Sequence, residues 1–151
     1  MAIYNIITEK MVFGGDCIAK IDGKTVFVPY AIPGEELEVE ITEEKRDYSI
    51  AKIVNILKPS VHRVTPFCPL YTKCGGCNMQ HIDEEYQTEL RAQILRETFI
   101  HETEKYVKAE DIPEVEVIKG SSKNYRSRFQ FHNGGLMEKQ SNNILPLENC
   151  P

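Results

Sequence analysis

Cys68, Cys74 and Cys77 stand as Cys-x5-Cys-x2-Cys within ten residues, and a fourth thiol, Cys150, lies just before Pro151. Gly75 and Gly76 fill the interval between Cys74 and Cys77. Glycine lets a backbone fold tightly around a ligand and turn its N–H groups toward sulfur. Three clustered thiolates with a remote fourth, followed by proline, is a common way to hold an iron–sulfur cluster. Structural zinc more often takes two Cys-x2-Cys pairs, and only one occurs here. The set points first to an iron–sulfur cluster on Cys68, Cys74, Cys77 and Cys150. Zinc is the alternative, and buried or redox thiols are the third reading. His81 could replace Cys150 as a ligand, although a local hydrogen bond at a helix entry explains it more simply. Cys17 lies in a strand pattern and reads as a small buried hydrophobe.

A second cluster is basic. Lys119, Lys123, Arg126 and Arg128 crowd into ten residues, with Tyr125, Phe129, Phe131 and His132 among or beside them. On a strand, Arg126 and Arg128 share one side at about 7 Å separation, near the spacing of successive phosphates. Aromatic rings beside such cations can stack on unpaired bases. Lys119, Lys123, Arg126, Arg128 and His132 are therefore candidate RNA contacts. The competing reading is a solvated strand face whose arginines pair with the many glutamates. Phe129 and Phe131, on the opposite side, read as core.

The 151 residues carry a net charge of −5, too acidic for a protein that simply coats nucleic acid. A local basic patch is still compatible with that total. No charged-then-apolar leader and no bilayer-length apolar run are visible, so a cytoplasmic protein without a membrane partner is expected. In that compartment five cysteines are ligands or buried thiols rather than a disulfide framework. The glycine pairs Gly14-Gly15, Gly75-Gly76 and Gly134-Gly135 lie in turn or cysteine-loop contexts. None forms the strand-to-helix phosphate turn of a doubly wound nucleotide fold. No paired carboxylates and no Ser/His/Asp arrangement stand out. The residues display no catalytic centre.

Two parts must position these groups. Residues 1–58 read as five short strands: Ile3–Thr8, Cys17–Ile21, Lys24–Val28, Glu36–Thr42 and Tyr48–Leu57. Asp22-Gly23 is a two-residue hairpin signal, and Glu36–Thr42 alternates polar and apolar as a half-buried strand does. Five such strands suggest a small OB-like β-barrel. The character changes at Lys58-Pro59-Ser60, where three prolines make 59–72 an irregular connection. A helix then starts behind Asp83 as N-cap, with Glu84 and Glu85 in its first turn. Tyr86, Leu90, Ile94, Leu95 and Phe99 would form its apolar face. Strands are expected at Val115–Ile118 and Tyr125–His132, then a turn at Asn133-Gly134-Gly135, and Ile144–Leu147 would deliver Cys150. Residues 59–151 thus read as a small cysteine-rich α+β domain.

In this order the residues resemble the N-terminal half of the RNA uracil-5-methyltransferase family, enzymes that methylate C5 of uridine in ribosomal and transfer RNA. Gly15, Asp22-Gly23-Lys24, Val26-Phe27-Val28-Pro29 and Pro33-Gly34-Glu35 are similar to the family's TRAM domain. Cys68-Pro69, Cys74-Gly75-Gly76-Cys77, Gln80-His81, Asn124-Tyr125-Arg126-Ser127-Arg128 and Cys150-Pro151 are similar to its iron–sulfur domain. The resemblance implies an RNA-binding barrel and a 4Fe–4S cluster on the four cysteines. It also implies S-adenosylmethionine as methyl donor, bound in a C-terminal domain that these residues do not include. There a cysteine attacks C6 of uracil and an acidic residue removes the C5 proton. The chain is accordingly expected to bind rRNA or tRNA without transferring methyl by itself. It would be a piece of a longer enzyme, a half working with a separate catalytic methyltransferase polypeptide, or a standalone module. The alternative function is a zinc-stapled RNA- or protein-interaction module unconnected with methyl transfer.

Overall fold

A computed structural model describes residues 2–121, 123, 130–147 and 150. Six strands build the first sheet: β1 (Ile3–Ile7), β2 (Lys10–Met11), β3 (Cys17–Ile21), β4 (Lys24–Val28), β5 (Glu36–Glu44) and β6 (Tyr48–Lys58). Their order is β1-β5-β6-β4-β3-β2, and only the β4–β6 pair is parallel. β1 pairs with β5 at one edge, and β2 pairs with β3 at the other. Thr8 and Glu9 join β1 to β2, and the Glu9 N–H donates to the Ile18 carbonyl at 2.8 Å. One short bend therefore carries the first strand from one edge to the other and rolls the sheet toward a barrel. The expected strand Ile3–Thr8 forms as β1, and a short strand that was not expected, β2, follows a break at Thr8. Its hydroxyl explains the break: buried, it donates to the Ile32 carbonyl at 2.6 Å and accepts the Glu35 N–H at 3.0 Å.

Three register shifts between β5 and β6 bend that long pair. Asp22 and Gly23 close the β3–β4 hairpin with φ of 50° and 81°, the left-handed geometry that Asp-Gly favours. Inward residues alternate as strand periodicity requires, with Cys17, Ala19, Val26, Val28, Leu37, Val39 and Ala51 all buried. The same cluster takes in Met79, Ile82 and Leu90, so the core runs past residue 58 without a gap.

Helix α1 (Glu84–Thr103) begins as its sequence signals: Asp83 accepts the Tyr86 N–H at 2.9 Å, and His62 stacks on the Tyr86 ring. Leu90 is 1% exposed, with Tyr86 and Ile94 packed beside it. Leu95 and Phe99, expected on the same face, are 59% and 51% exposed. Helical geometry gives the reason, because they lie about 140° and 180° around the axis from Leu90. The expected strand Val115–Ile118 is irregular and mostly exposed, with no partner strand among the described residues. Its intended neighbour, Tyr125–His132, falls largely outside them. A second, two-stranded sheet pairs β7 (Gly135–Met137) with β8 (Ile144–Pro146). Among the described residues no helix is long and apolar enough to cross a membrane.

His81 departs from expectation instructively. It is no helix-entry residue but a buried bolt between the cysteine loop and the barrel. Nδ1 sits 2.6 Å from the Tyr71 hydroxyl and Nε2 3.2 Å from the Ala31 carbonyl. The pairing fixes the tautomer: Nε2–H donates to Ala31, and Nδ1 accepts from Tyr71. Burial pushes its pKa down from 6.5 to about 4, against the opposing pull of the Ala31 carbonyl. The unfolded chain therefore binds a proton that the native state refuses. His81 costs nothing above pH 6.5, and stability drains away as the pH falls toward 4. Urea titrations across that window should show a fall in the parent that His81→Gln largely abolishes, because glutamine has no proton to gain.

The cysteine loop and the candidate RNA interface

The cysteine loop is wound by its own backbone. Tyr71 N–H donates to the Cys68 carbonyl at 3.1 Å, and the N–H groups of Lys73 and Cys74 both donate to the Leu70 carbonyl. Thr72 takes φ of 74° inside this turn. Residues 73–75 then present an edge. Gly75 N–H donates to the Met137 carbonyl at 2.9 Å, and Lys139 N–H donates to the Lys73 carbonyl at 2.8 Å. The β7–β8 hairpin is thereby docked on the loop, and Cys74 bridges Glu138. Leu147, just past β8, donates its N–H to the Gly134 carbonyl at 3.3 Å, three residues before Cys150.

Small residues make the docking possible. A Cβ on Gly75 would lie 3.1 Å from the Met137 carbonyl oxygen, whereas one on Gly76 would only touch Leu136 and the Cys74 sulfur at ordinary contact distance. Gly135 is the tightest, since a Cβ there would run into the Leu145 carbonyl. Gly135→Ala should open the hairpin at a local cost of about 1–3 kcal/mol. Hydrogen exchange checks it: the Gly75 and Lys139 amides should lose protection while the barrel amides keep theirs.

Cys68 and Cys74 are half-buried, and Cys77 and Cys150 are exposed. The Cys74 sulfur accepts the Gly76 N–H at 3.4 Å, and the Cys68 N–H donates to Gln80 Oε1. Burial, with Tyr30 and then Cys77 adding to it, pushes the Tyr71 hydroxyl's pKa upward. Among the described residues, no three His, Cys, Asp or Glu side chains are gathered closely enough to hold a metal ion. The donors nevertheless suit a cluster in kind, as thiols with a backbone N–H group donating to one of them. Cys17 is the buried hydrophobe expected, fully enclosed, with its thiol 3.2 Å from the Ala31 carbonyl.

Of the candidate RNA contacts, Arg126 and Arg128 lie outside the described residues, and Lys119 is exposed. Lys123 places its ammonium 4.7 Å from the centre of the Phe67 ring, next to Cys68. His132 is half-buried and pairs with Gly135 at the base of the hairpin. Lys139 was not singled out by its sequence, yet its Nζ sits 3.9 Å from the centre of the Tyr30 ring. Only the fold reveals it, because the hairpin register brings Lys139 back against residue 73. Barrel lysines behave differently: Lys10, Lys24, Lys45, Lys52 and Lys58 pair with Glu97, Glu44, Glu43, Glu40 and Glu36. Lysine–glutamate pairs thus recur on the barrel, whereas Lys123 and Lys139 rest on aromatic rings around the cysteine loop, with the Lys139 charge also felt by Asp16.

Residues 5–54, from β1 into β6, match the TRAM domain family. An "uncharacterized RNA methyltransferase" of Treponema denticola is 40% identical over 95% of this chain and 40% of its own length. The 23S rRNA (uracil(1939)-C(5))-methyltransferase RlmD of Photorhabdus laumondii is 34% identical over 99% of this chain and 35% of its own length. The chain resembles the N-terminal half of the RNA uracil-5-methyltransferases. Among solved structures, the tRNA (uracil-54, C5)-methyltransferase of Pyrococcus abyssi aligns at 24% identity and TM-score 0.43, over 62% of this chain and 21% of that one. The chain spans about two fifths or less of the length of the two curated relatives. The cysteine loop and the hairpin follow the TRAM domain directly.

Proposed function

We propose that these residues are the RNA-binding and iron–sulfur portion of an RNA uracil-5-methyltransferase. One observation carries the reading: a TRAM barrel, followed at once by the cysteine loop, lies in a chain alike along 95% of its length to an RNA methyltransferase. Cys68, Cys74, Cys77 and Cys150 would hold a 4Fe–4S cluster. Its work here is structural, since it would close the 72 residues between Cys77 and Cys150 and pin the hairpin to the loop. Lys119, Lys123, Arg126, Arg128 and His132 would engage rRNA or tRNA. Methyl transfer from S-adenosylmethionine belongs to the part of the relatives that these residues do not cover, in the same or a separate polypeptide.

Replacing Arg126 and Arg128 together with alanine tests the reading. Each lost phosphate contact on a single strand should flatten the log–log salt dependence by about 0.7, so the pair removes about 1.4. Fluorescence anisotropy with an rRNA fragment measures it. An unchanged slope and affinity would take both arginines out of the interface.

A further inference from the structure

Between the Cys74–Gly76 turn and the β7–β8 hairpin lies an open cleft of about 640 Å³. It is lined by Leu136 and Met137, by Gly75 and Gly76 without side chains, and by the amides of Gln130, Gln140 and Asn142, with His132 and Lys139 also in the lining. The hairpin's own turn consumes some of the polar groups. Glu138 accepts from the Asn143 side-chain amide at 3.1 Å, and the Ser141 hydroxyl accepts the Asn143 N–H at 2.9 Å. Among the described residues, the side chains of Gln130, Gln140 and Asn142 make no such hydrogen bond. Each carries an acceptor and two donors.

The geometry points to a seat for one unpaired nucleotide of RNA in this cleft, read by side-chain amides. It rests on the RNA-binding reading and names where, and by what chemistry, a base is held. Several features favour a nucleotide. The volume falls in the range of small-ligand sites. An amide edge complements the donor–acceptor edge of a base, and single-stranded RNA is recognised on such edges once its bases are splayed out. Leu136 and Met137 add apolar surface to the lining, and Lys139 and His132 add a cation and an imidazole that could meet a phosphate or ribose. Glu138 would repel a phosphate, but its carboxylate is engaged with Asn143 on the turn side.

Gln140 offers a clean variant. Its φ is 55°, a conformation glycine adopts at lower cost, so Gln140→Gly removes the amide while easing the turn. The full chain carrying Gln140→Gly and Asn142→Ala should bind a fluorescein-labelled, uridine-rich single strand of about twelve nucleotides roughly tenfold more weakly. Its salt slope should match the parent's, because neutral amides release no counterions. In parallel, 4-thiouridine in the same strand should photo-crosslink to the peptide covering residues 136–142. Parent-like affinity in the double variant, or crosslinks lying wholly elsewhere, would overturn the cleft assignment while leaving RNA binding intact. Failure of the parent itself to bind any RNA would instead defeat the broader reading, and this one with it.

Discussion

Arg63→Ala should cost the fold about 3–5 kcal/mol, because it strands a buried carboxylate. Glu35 is 0% exposed, and its two oxygens accept from Arg63 Nε and Nη2, both at 2.6 Å. The same carboxylate accepts the N–H groups of Ile32 at 2.9 Å and Ser60 at 3.1 Å, and Arg63 also reaches the Tyr30 carbonyl. One ion pair thus ties the barrel to the segment that leads into the cysteine loop. Burial by itself would raise the Glu35 pKa, but the guanidinium and the two amides outweigh it and hold the carboxyl below 4.5. A depressed carboxyl contributes its stability above pH 4.5 and surrenders it as the pH falls through the lowered value. Without Arg63, burial wins, and protonation of Glu35 relieves the variant. The gap between parent and variant should therefore be widest near neutrality and shrink as the pH falls toward and then through 4.5. Thermal melts would show it as a loss on the order of 10 °C at pH 7. Adding Glu35→Leu to Arg63→Ala should recover part of the loss, since the unpaired charge is gone. No recovery would mean that the pair's packing, rather than its charge, holds the two segments.

The second large effect concerns metal. Protein purified without oxygen should be coloured and carry about four iron and four sulfide per chain. Serine at Cys74 or Cys77 should remove most of both, while Cys17→Ser should leave them in place. Cys17 makes a discriminating control because its thiol is wholly enclosed, and burial pushes its pKa far upward, away from the thiolate that binds metal. Loss of the cluster should also loosen the hairpin, seen as faster exchange at the Gly75 and Lys139 amides. Colourless protein with about one zinc per chain would instead favour the zinc-stapled alternative.

Much of the barrel was legible in the residues because strand alternation and the Asp22-Gly23 turn are local signals. The break at Thr8 was not, since it depends on a hydroxyl reaching Ile32 and Glu35 more than twenty residues away. Helix α1 was legible at its start, where Asp83 caps it, but its face was read too broadly. Spacings of four and five do not all fall on one side of a helix whose packed line is Tyr86, Leu90 and Ile94. His81 and the Glu35–Arg63 pair look ordinary in sequence, because their partners lie on other segments. The cleft was invisible for the same reason: its two sides, 75–76 and 136–142, meet only through the pairing of Gly75 with Met137 and Lys73 with Lys139. Cysteine types and spacing did mark the loop, yet spacing alone does not bring sulfur atoms together.

The most direct test is binding of the intact chain to a 23S rRNA fragment, followed by anisotropy as salt is raised. Saturable binding is expected, with log affinity falling linearly against log salt at a slope of about −3, the value for some four phosphate contacts on a single strand. Absence of saturable binding at low salt, or a slope near zero, would contradict an RNA-binding role for these residues.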